Sequence, residues 1–454
     1  MINEKNKTAI KIKNKQTPKY SPLIRSEIKL TIGILVSNHI KYIRKAMEAI
    51  KPLLEQVPSE LIVVDTVGPE KTDGSLDIVK EYTDKIYHFD WINDFSAARN
   101  VAMEHARGEW FMYFDDDEYF DDVSEFIEFF NSGECNNYFF GMYYTADYTS
   151  PGVYEKGIAG RMIRRTVNTR FVGKVHEEFN EGYVPVKQFN AFTHHFGYLY
   201  ESPEQEKAKM ERNMQLLLQE LEENGPSAKI CAQIVGQEMG DMPEEASKKC
   251  VAYIKALEGT GELDTSCGQW LLTANVRFMA RWGSLPGILD IEKQLLENYK
   301  LQETARLVLA WQVAAVAYDA ENFEIAADRT QKYFDLLDWL NEHPNERVIQ
   351  LQLDIPSFMM EKKLYRIVMI GVGSENHLRN YDKAYEYIKR IDFDFCTDYE
   401  GTRKVIAYTL NKLDDISPTI EWNKRFYRDE IIDDPKMHKF LPKMFRERLD
   451  RTNE

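Results

Sequence analysis

Apolar and polar positions fall into two regimes along the chain. From Ile28 to Phe114, apolar runs of strand length alternate with stretches of helical spacing. Residues 28–36 (IKLTIGILV) form a β-rich run without an acid, the pattern of a strand buried on both faces. Residues 39–55 place Ile40, Ile43, Ala46, Met47, Ile50 and Leu54 on one helical face. Leu61–Val64 predicts a second buried strand ending at Asp65, followed by a Gly/Pro/Thr loop and a helix over 75–82. A third strand is expected over 85–89 and a helix over 96–106, closed by Gly108. The fourth strand, Trp110–Phe114, runs straight into Asp115-Asp116-Asp117-Glu118. This alternation implies an α/β domain with a mostly parallel sheet and helices on both faces. Ligands of such sheets sit at the carboxyl ends of the strands, where Asp65 and Asp115–Glu118 fall.

The pattern then changes twice. Residues 138–200 hold short strand-like pieces, 138–144, 160–164 and 189–196, read as the mixed half of the same domain. After Tyr200 the spacing is helical almost to the end. Three segments there share a polar turn followed by a helix that opens with an expected buried alanine: Asp241–Ala246, Glu321–Ala326 and Arg379–Ala384. Each is similar to the turn and second helix of a tetratricopeptide-like (TPR-like) hairpin. The alanines are 80 and 58 residues apart, which does not fit a strict period of about 34, so the reading is an irregular all-α helical-hairpin array, with an ordinary bundle as the alternative. The expected organisation is a basic flexible leader over 1–27, a catalytic domain over 28–200, and a helical domain over 201–454 for acceptor binding or homodimer formation.

Charge and composition narrow the function. The net charge is −16, with −5 over residues 1–200 and −11 over the rest, which disfavours nucleic acid as a partner. Residues 1–27 run against this trend at +5, as a solvated tail would. No apolar run approaches the ~18 residues of a membrane span, so no integral membrane segment is expected. Five widely spaced cysteines with no CxxC pair point to free thiols in a reducing cytoplasm rather than to zinc or a disulfide framework.

Four segments carry candidate chemistry. Four consecutive acids at the end of an apolar strand repel one another unless a cation sits among them, and a DxD arrangement suits Mg²⁺ or Mn²⁺. The bland alternative is an acidic turn opening a helix near Val123. Asn93–Asn100 reads as a helix capped by Asp94, carrying Arg99, which on propensity alone is a surface residue. Residues 161–174 hold five basic groups, among them Arg161 and Arg164, and no acid. They form a stripe suited to an anionic ligand, or else a charge-protected strand edge. Directly after it come His176, Glu177 and Glu178, candidate general bases. His194 and His195 are adjacent on a strand and face opposite sides, so one of them at most enters a given site.

In this order the segments closely resemble family 2 glycosyltransferases of GT-A fold, a nucleotide-diphospho-sugar transferase fold of Rossmann-like build, over roughly residues 30–200. The carriers are Leu61–Asp65, Trp91–Asn100, Gly108–Glu118, Arg161–Arg164 and Gly173–Glu178. The His-Phe-Gly-Tyr element at 195–198 with TPR-like helices after it is also similar to a bacterial subgroup that includes the sublancin-type peptide S-glycosyltransferases. The resemblance implies a UDP-sugar donor contacted by Asp65, Arg99, Asp115, Asp116, Arg161, Arg164 and His195. It implies a divalent metal on Asp115, Asp117 and His195, with Asp117 the leading direct ligand and Asp116 an alternative because the triple Asp leaves the register ambiguous, and acceptor activation in the His176-Glu177 element by Glu177, with Glu178 as the alternative base. The turn Val67–Glu70 departs from the shorter Ser/Thr-rich turn of relatives. The expected activity is inverting, metal-dependent hexosyl transfer to a Cys or Ser/Thr side chain of a bacteriocin-like peptide or a protein, in the cytoplasm. Two alternatives stand beside it: cell-surface polysaccharide synthesis, and a degenerate GT-A scaffold serving the helical array.

Overall fold

Strand β1 (Leu30–Val36) is buried along its whole length because it lies between two parallel neighbours, β2 (Ser59–Asp65) and β4 (Trp110–Asp115), with helices on both faces. Helix α1 (Ile40–Gln56) presents Ile43, Ala46, Met47, Ile50 and Leu53 to one face of the sheet. After α2 (Ser75–Val79), β3 (Ile86–His88) extends the parallel half beyond β2. Helix α3 (Phe95–His105) packs on β1 and β2. In register, Val36 lies opposite Asp65 and Leu35 opposite Asp115, so the carboxyl ends of β1, β2 and β4 share one edge.

This is a computed structural model. It describes residues 22–68, 70–181, 184–200, 202–239, 243–282, 284–350, 355–391, 399–415, 417–426 and 443. The chain divides into two compact units, Met1–Lys209 and Met210–Glu454.

The second half of the sheet is mixed. β5 (Glu118–Phe120) follows β4 after two residues, and α4 (Ser124–Asn131) buries Phe126, Phe129 and Phe130. The long hairpin of β6 (Phe140–Ser150) and β7 (Val153–Arg164) joins the parallel half through antiparallel β7–β4 pairing. β8 (Phe171–Val172) and β9 (Glu178–Phe179) form a separate two-stranded ribbon. β10 (Val186–His195) pairs with β6 and β5 and completes the order β3-β2-β1-β4-β7-β6-β10-β5.

Residues 1–21 of the expected leader lie outside the described residues. Residues 22–27, expected to be flexible, are held: Leu23 bridges Thr166, and the Ile24 amide donates to the Arg165 carbonyl at 2.9 Å.

The second unit is helical among its described residues. Ala246, Ala326 and Ala384, the expected buried alanines, are all 0% exposed. Helix Glu303–Asp319 packs on Phe323–Glu342, and Glu361–His377 on Tyr381–Ile388. The two corners are built alike. Glu321 and Arg379 have φ of 57° and 63°, and the next amide, of Asn322 or Asn380, donates 2.8 Å back to the carbonyl of Ala317 or Glu375. That is the six-to-one closure of a left-handed helix stop. Among the described residues, no helix is long and apolar enough to cross a membrane.

Candidate active site

Helix α3 delivers the centre of the site. Asp94 caps it as the sequence predicts, its Oδ1 accepting the Ala97 amide at 2.8 Å. The first turn is stitched to the segment after β7: Ser96 Oγ donates to the Gly173 carbonyl at 2.5 Å, and Asn100 bonds both the amide and the carbonyl of Phe171. Gly173 has φ of +97°, a conformation that favours glycine. These bonds fix α3 against the loop that carries Glu177.

Arg99 is therefore buried, not a surface residue. Its Nη2 donates to Asp115 Oδ1 at 2.7 Å and its Nε to Glu177 Oε1 at 2.5 Å. Arg161 Nη1 reaches Asp115 Oδ2 at 3.4 Å and lies 2.6 Å from Glu118 Oε1. Tyr113 lies beneath both guanidinium groups, 4.3 Å from Arg99 and 5.2 Å from Arg161. Burial would raise the Asp115 carboxyl, but Arg99 and Arg161 hold it well below the usual carboxylate range. Glu177, Arg99, Asp115, Arg161 and Glu118 thus form one continuous charged array at the carboxyl edge of the sheet.

The array ends in a pocket of unmet charge. Asp117, Glu118 and His195 each offer one ligand atom, and these atoms lie within 4.8 Å of one another. Glu118 is 0% exposed. Neither of its oxygens, nor Asp117 Oδ1, accepts a hydrogen bond; the nearby Arg161 nitrogen makes an ionic contact without hydrogen-bond alignment. Burial raises the Glu118 carboxyl above its ordinary value, against the pull of Arg161 and His195. Gly197 leaves the space open: a Cβ there would stand 2.5 Å from His195 Nε2 and 2.9 Å from Asp117 Oδ2. Buried carboxylate oxygens lacking donors, one imidazole nitrogen and a glycine-lined opening fit a divalent cation such as Mn²⁺ or Mg²⁺.

The gathered set differs from the expected one. Glu118 stands in the cluster where Asp115 was expected; Asp115 is taken up by two arginines instead. Asp116 turns the other way, its Oδ2 accepting the Ser37 amide at 2.7 Å and its Oδ1 lying 2.6 Å from His39 Nδ1. That contact outweighs desolvation and lifts His39 to about 9. Asp65 reaches the same edge, but its carboxylate is used locally by the Val67 and Gly68 amides and by His88 at 3.1 Å. Arg164 does not join the site. It pairs with Trp110 at the amino end of β4 and bonds Asn136. Arg165 likewise turns inward to the Gly108 carbonyl. The expected basic stripe is dispersed because neighbours on a strand face opposite ways and β7 carries them to the far edge. His176 and Glu178 are exposed beside Glu177, with His176 at φ of 52°. His195 enters the cluster, while His194 faces away to Tyr148 and Asp121.

Sequence reasoning missed His39 and Asp147 and gave Glu118 no ligand role. His39 follows the end of β1, so the strand-end rule could have found it. Asp147 needed the register between β6 and β10, which no local signal gives.

Residues 31–184 match the family described as Glycosyl transferase family 2. Over 200 residues the chain is 32% identical to the SPbeta prophage-derived glycosyltransferase SunS of Bacillus subtilis (strain 168), covering 41% of this chain and 44% of that one. A stretch of 89 residues is 33% identical to a TPR repeat-containing protein of Synechococcus elongatus, covering 20% of each. Among solved structures, S. aureus TarS 1-349 aligns with 15% identity over 67% of this chain and 90% of its own, at a TM-score of 0.31, too low to carry weight. The chain thus spans less than half the length of the curated relatives it matches. The parallel half-sheet, the β6–β7 hairpin and the acidic strand end all lie within residues 31–184, the stretch that matches the Glycosyl transferase family 2.

Proposed function

We propose that this chain is an inverting glycosyltransferase that moves a hexose from a UDP-sugar to a Cys or Ser/Thr side chain of a peptide or protein. The observation that carries this reading is the charged array at the carboxyl edge, with acceptor-side Glu177 at one end and the donor-poor Asp117–Glu118–His195 pocket at the other. Asp117, Glu118 and His195 would hold the divalent metal, which supplies charge neutralisation for the diphosphate leaving group. Arg99 and Arg161 orient and neutralise the remaining diphosphate charge. Asp65 acts at the nucleoside end by shaping the Val67–Gly68 turn, and Asp116 by holding the loop after β1.

The step balances without a redox partner. Glu177 takes the proton of the acceptor thiol or hydroxyl, and the acceptor sulfur or oxygen bonds to the anomeric carbon from the face opposite the diphosphate. The bond from that carbon to the diphosphate oxygen breaks, and UDP leaves with the electron pair. His176 and Glu178 flank the acceptor side. The helical unit would hold the acceptor or a second copy of the chain. The peptide acceptor rests on the resemblance of 195–198 and the helices after it, and the cytoplasmic setting on the free thiols of Cys135, Cys231 and Cys250.

The test is incubation with a UDP-hexose, Mn²⁺ and matched peptides carrying Cys, Ser or neither, read by mass spectrometry. A gain of one hexosyl group on the Cys or Ser peptide alone is expected. Transfer only to a lipid-linked sugar added in parallel would overturn the acceptor assignment, and nucleotide neither bound nor hydrolysed would overturn the enzyme reading.

A further inference from the structure

The metal-ligand candidates leave one contact unexplained. His195 on β10 lies opposite Asp147 on β6 in the parallel register, and its Nδ1 is 2.7 Å from Asp147 Oδ1. The other ring nitrogen, Nε2, points at Asp117 Oδ1 and Glu118 Oε1, at 3.8 and 3.9 Å. Asp147 is itself held: Thr145 Oγ1 donates to its Oδ2 at 3.3 Å, and Gly157 on the neighbouring strand leaves room for this contact, since a Cβ there would meet Thr145 Oγ1 at 2.6 Å. The ring can neither turn toward the solvent nor swap its nitrogens without losing this bond.

From this geometry we propose that Asp147 is a positioning residue: it keeps the His195 proton on Nδ1 and aims the Nε2 lone pair at the Asp117–Glu118 pair, so that the cation site depends on a carboxylate that does not touch the cation. The proposal rests on the metal reading above. An imidazole whose far nitrogen donates to a carboxylate is fixed in tautomer and orientation and is a more basic ligand, and removing such a partner typically lowers metal affinity about 10–100-fold. The placement also explains why β6 and β10 must pair in this register. A slip of one residue would turn Asp147 to the opposite face from His195.

The experiment is a calorimetric titration of the full chain with Mn²⁺ alone. Asp147→Ala is expected to weaken binding about 10–100-fold. Asp147→Asn, which keeps the volume and guards against a folding defect, is expected to weaken it too, because its amide can donate to Nδ1 and leave the proton on Nε2. In a His195→Gln background, Asp147→Ala is expected to add nothing, since its effect passes through that ring. ¹⁵N-labelled histidine, with His195 identified by its loss in His195→Gln, reads the tautomer directly in both Asp147 variants. Unchanged affinity in both Asp147 variants, with binding lost in Asp117→Asn, overturns this proposal and leaves the metal reading standing. Absence of Mn²⁺ binding by the wild-type chain overturns both.

Discussion

Two buried glutamates at opposite edges of the same sheet are treated in opposite ways by the fold. Glu60, at the start of β2, is 5% exposed and fully engaged. Its Oε1 accepts from Thr31 Oγ1 at 2.7 Å and the Arg107 amide at 2.6 Å, and its Oε2 from Lys85 at 2.6 Å and Arg107 Nε at 3.0 Å. Burial alone would raise its pKa, but these partners outweigh it and hold the group at about 2. Glu118 is buried more deeply, yet neither oxygen accepts a hydrogen bond and its pKa shifts the other way. A buried carboxylate whose oxygens folding leaves without hydrogen bonds is expensive, and such groups concentrate where a ligand completes the set. The amino edge of the sheet is therefore closed chemistry and the carboxyl edge is open chemistry.

Substitutions can break this contrast from either side. Glu60→Gln should cost about 3–5 kcal/mol in urea unfolding, because Lys85 and Arg107 lose a buried partner, while Mn²⁺ binding stays unchanged. Asp117→Asn should do the reverse, lowering kcat/KM for hexosyl transfer by about 10²–10³-fold with little change in the unfolding midpoint; a stability loss as large as that of Glu60→Gln would remove the distinction between the edges. Glu118→Gln should stabilise the metal-free chain by about 0.5–2 kcal/mol at pH 8 while impairing transfer, the exchange expected where function holds a strained charge. A further effect concerns acid. Since the folded-state pKa of Glu60 is lowered from 4.5 to about 2, its contribution is complete above about pH 4.5 and is lost as the pH falls toward 2. A wild-type minus Glu60→Gln difference in thermal midpoint that shrinks across that window would bear this out, and a flat difference would contradict it.

How much was legible follows the range over which each signal acts. β1, α1, β2 and β4 follow from local apolar runs and were readable within one to three residues, as were the Asp94 cap and the three buried alanines. The acidic strand end was visible as a candidate locus because its position at a carboxyl edge follows from element order. The division of labour within it was not. Whether Asp115 or Glu118 faces the pocket depends on Arg99, 16 residues away from Asp115, and on Arg161, brought in by a hairpin whose length the short apolar pieces at 138–144 and 160–164 understated. Arg99 looked like a surface residue because its second partner, Glu177, is 78 positions away. Arg164 was misplaced for the same reason: three residues along β7 carry it from one edge of the sheet to the other.

The matching corners at 320–322 and 378–380 have an evolutionary consequence. Each ends one helix on a left-handed residue and opens the next on an asparagine, with the same back-bond, so the two sites are interchangeable joints. An array jointed this way can grow or shrink by a whole hairpin through recombination between its corners, changing its reach while every junction keeps a geometry that already folds.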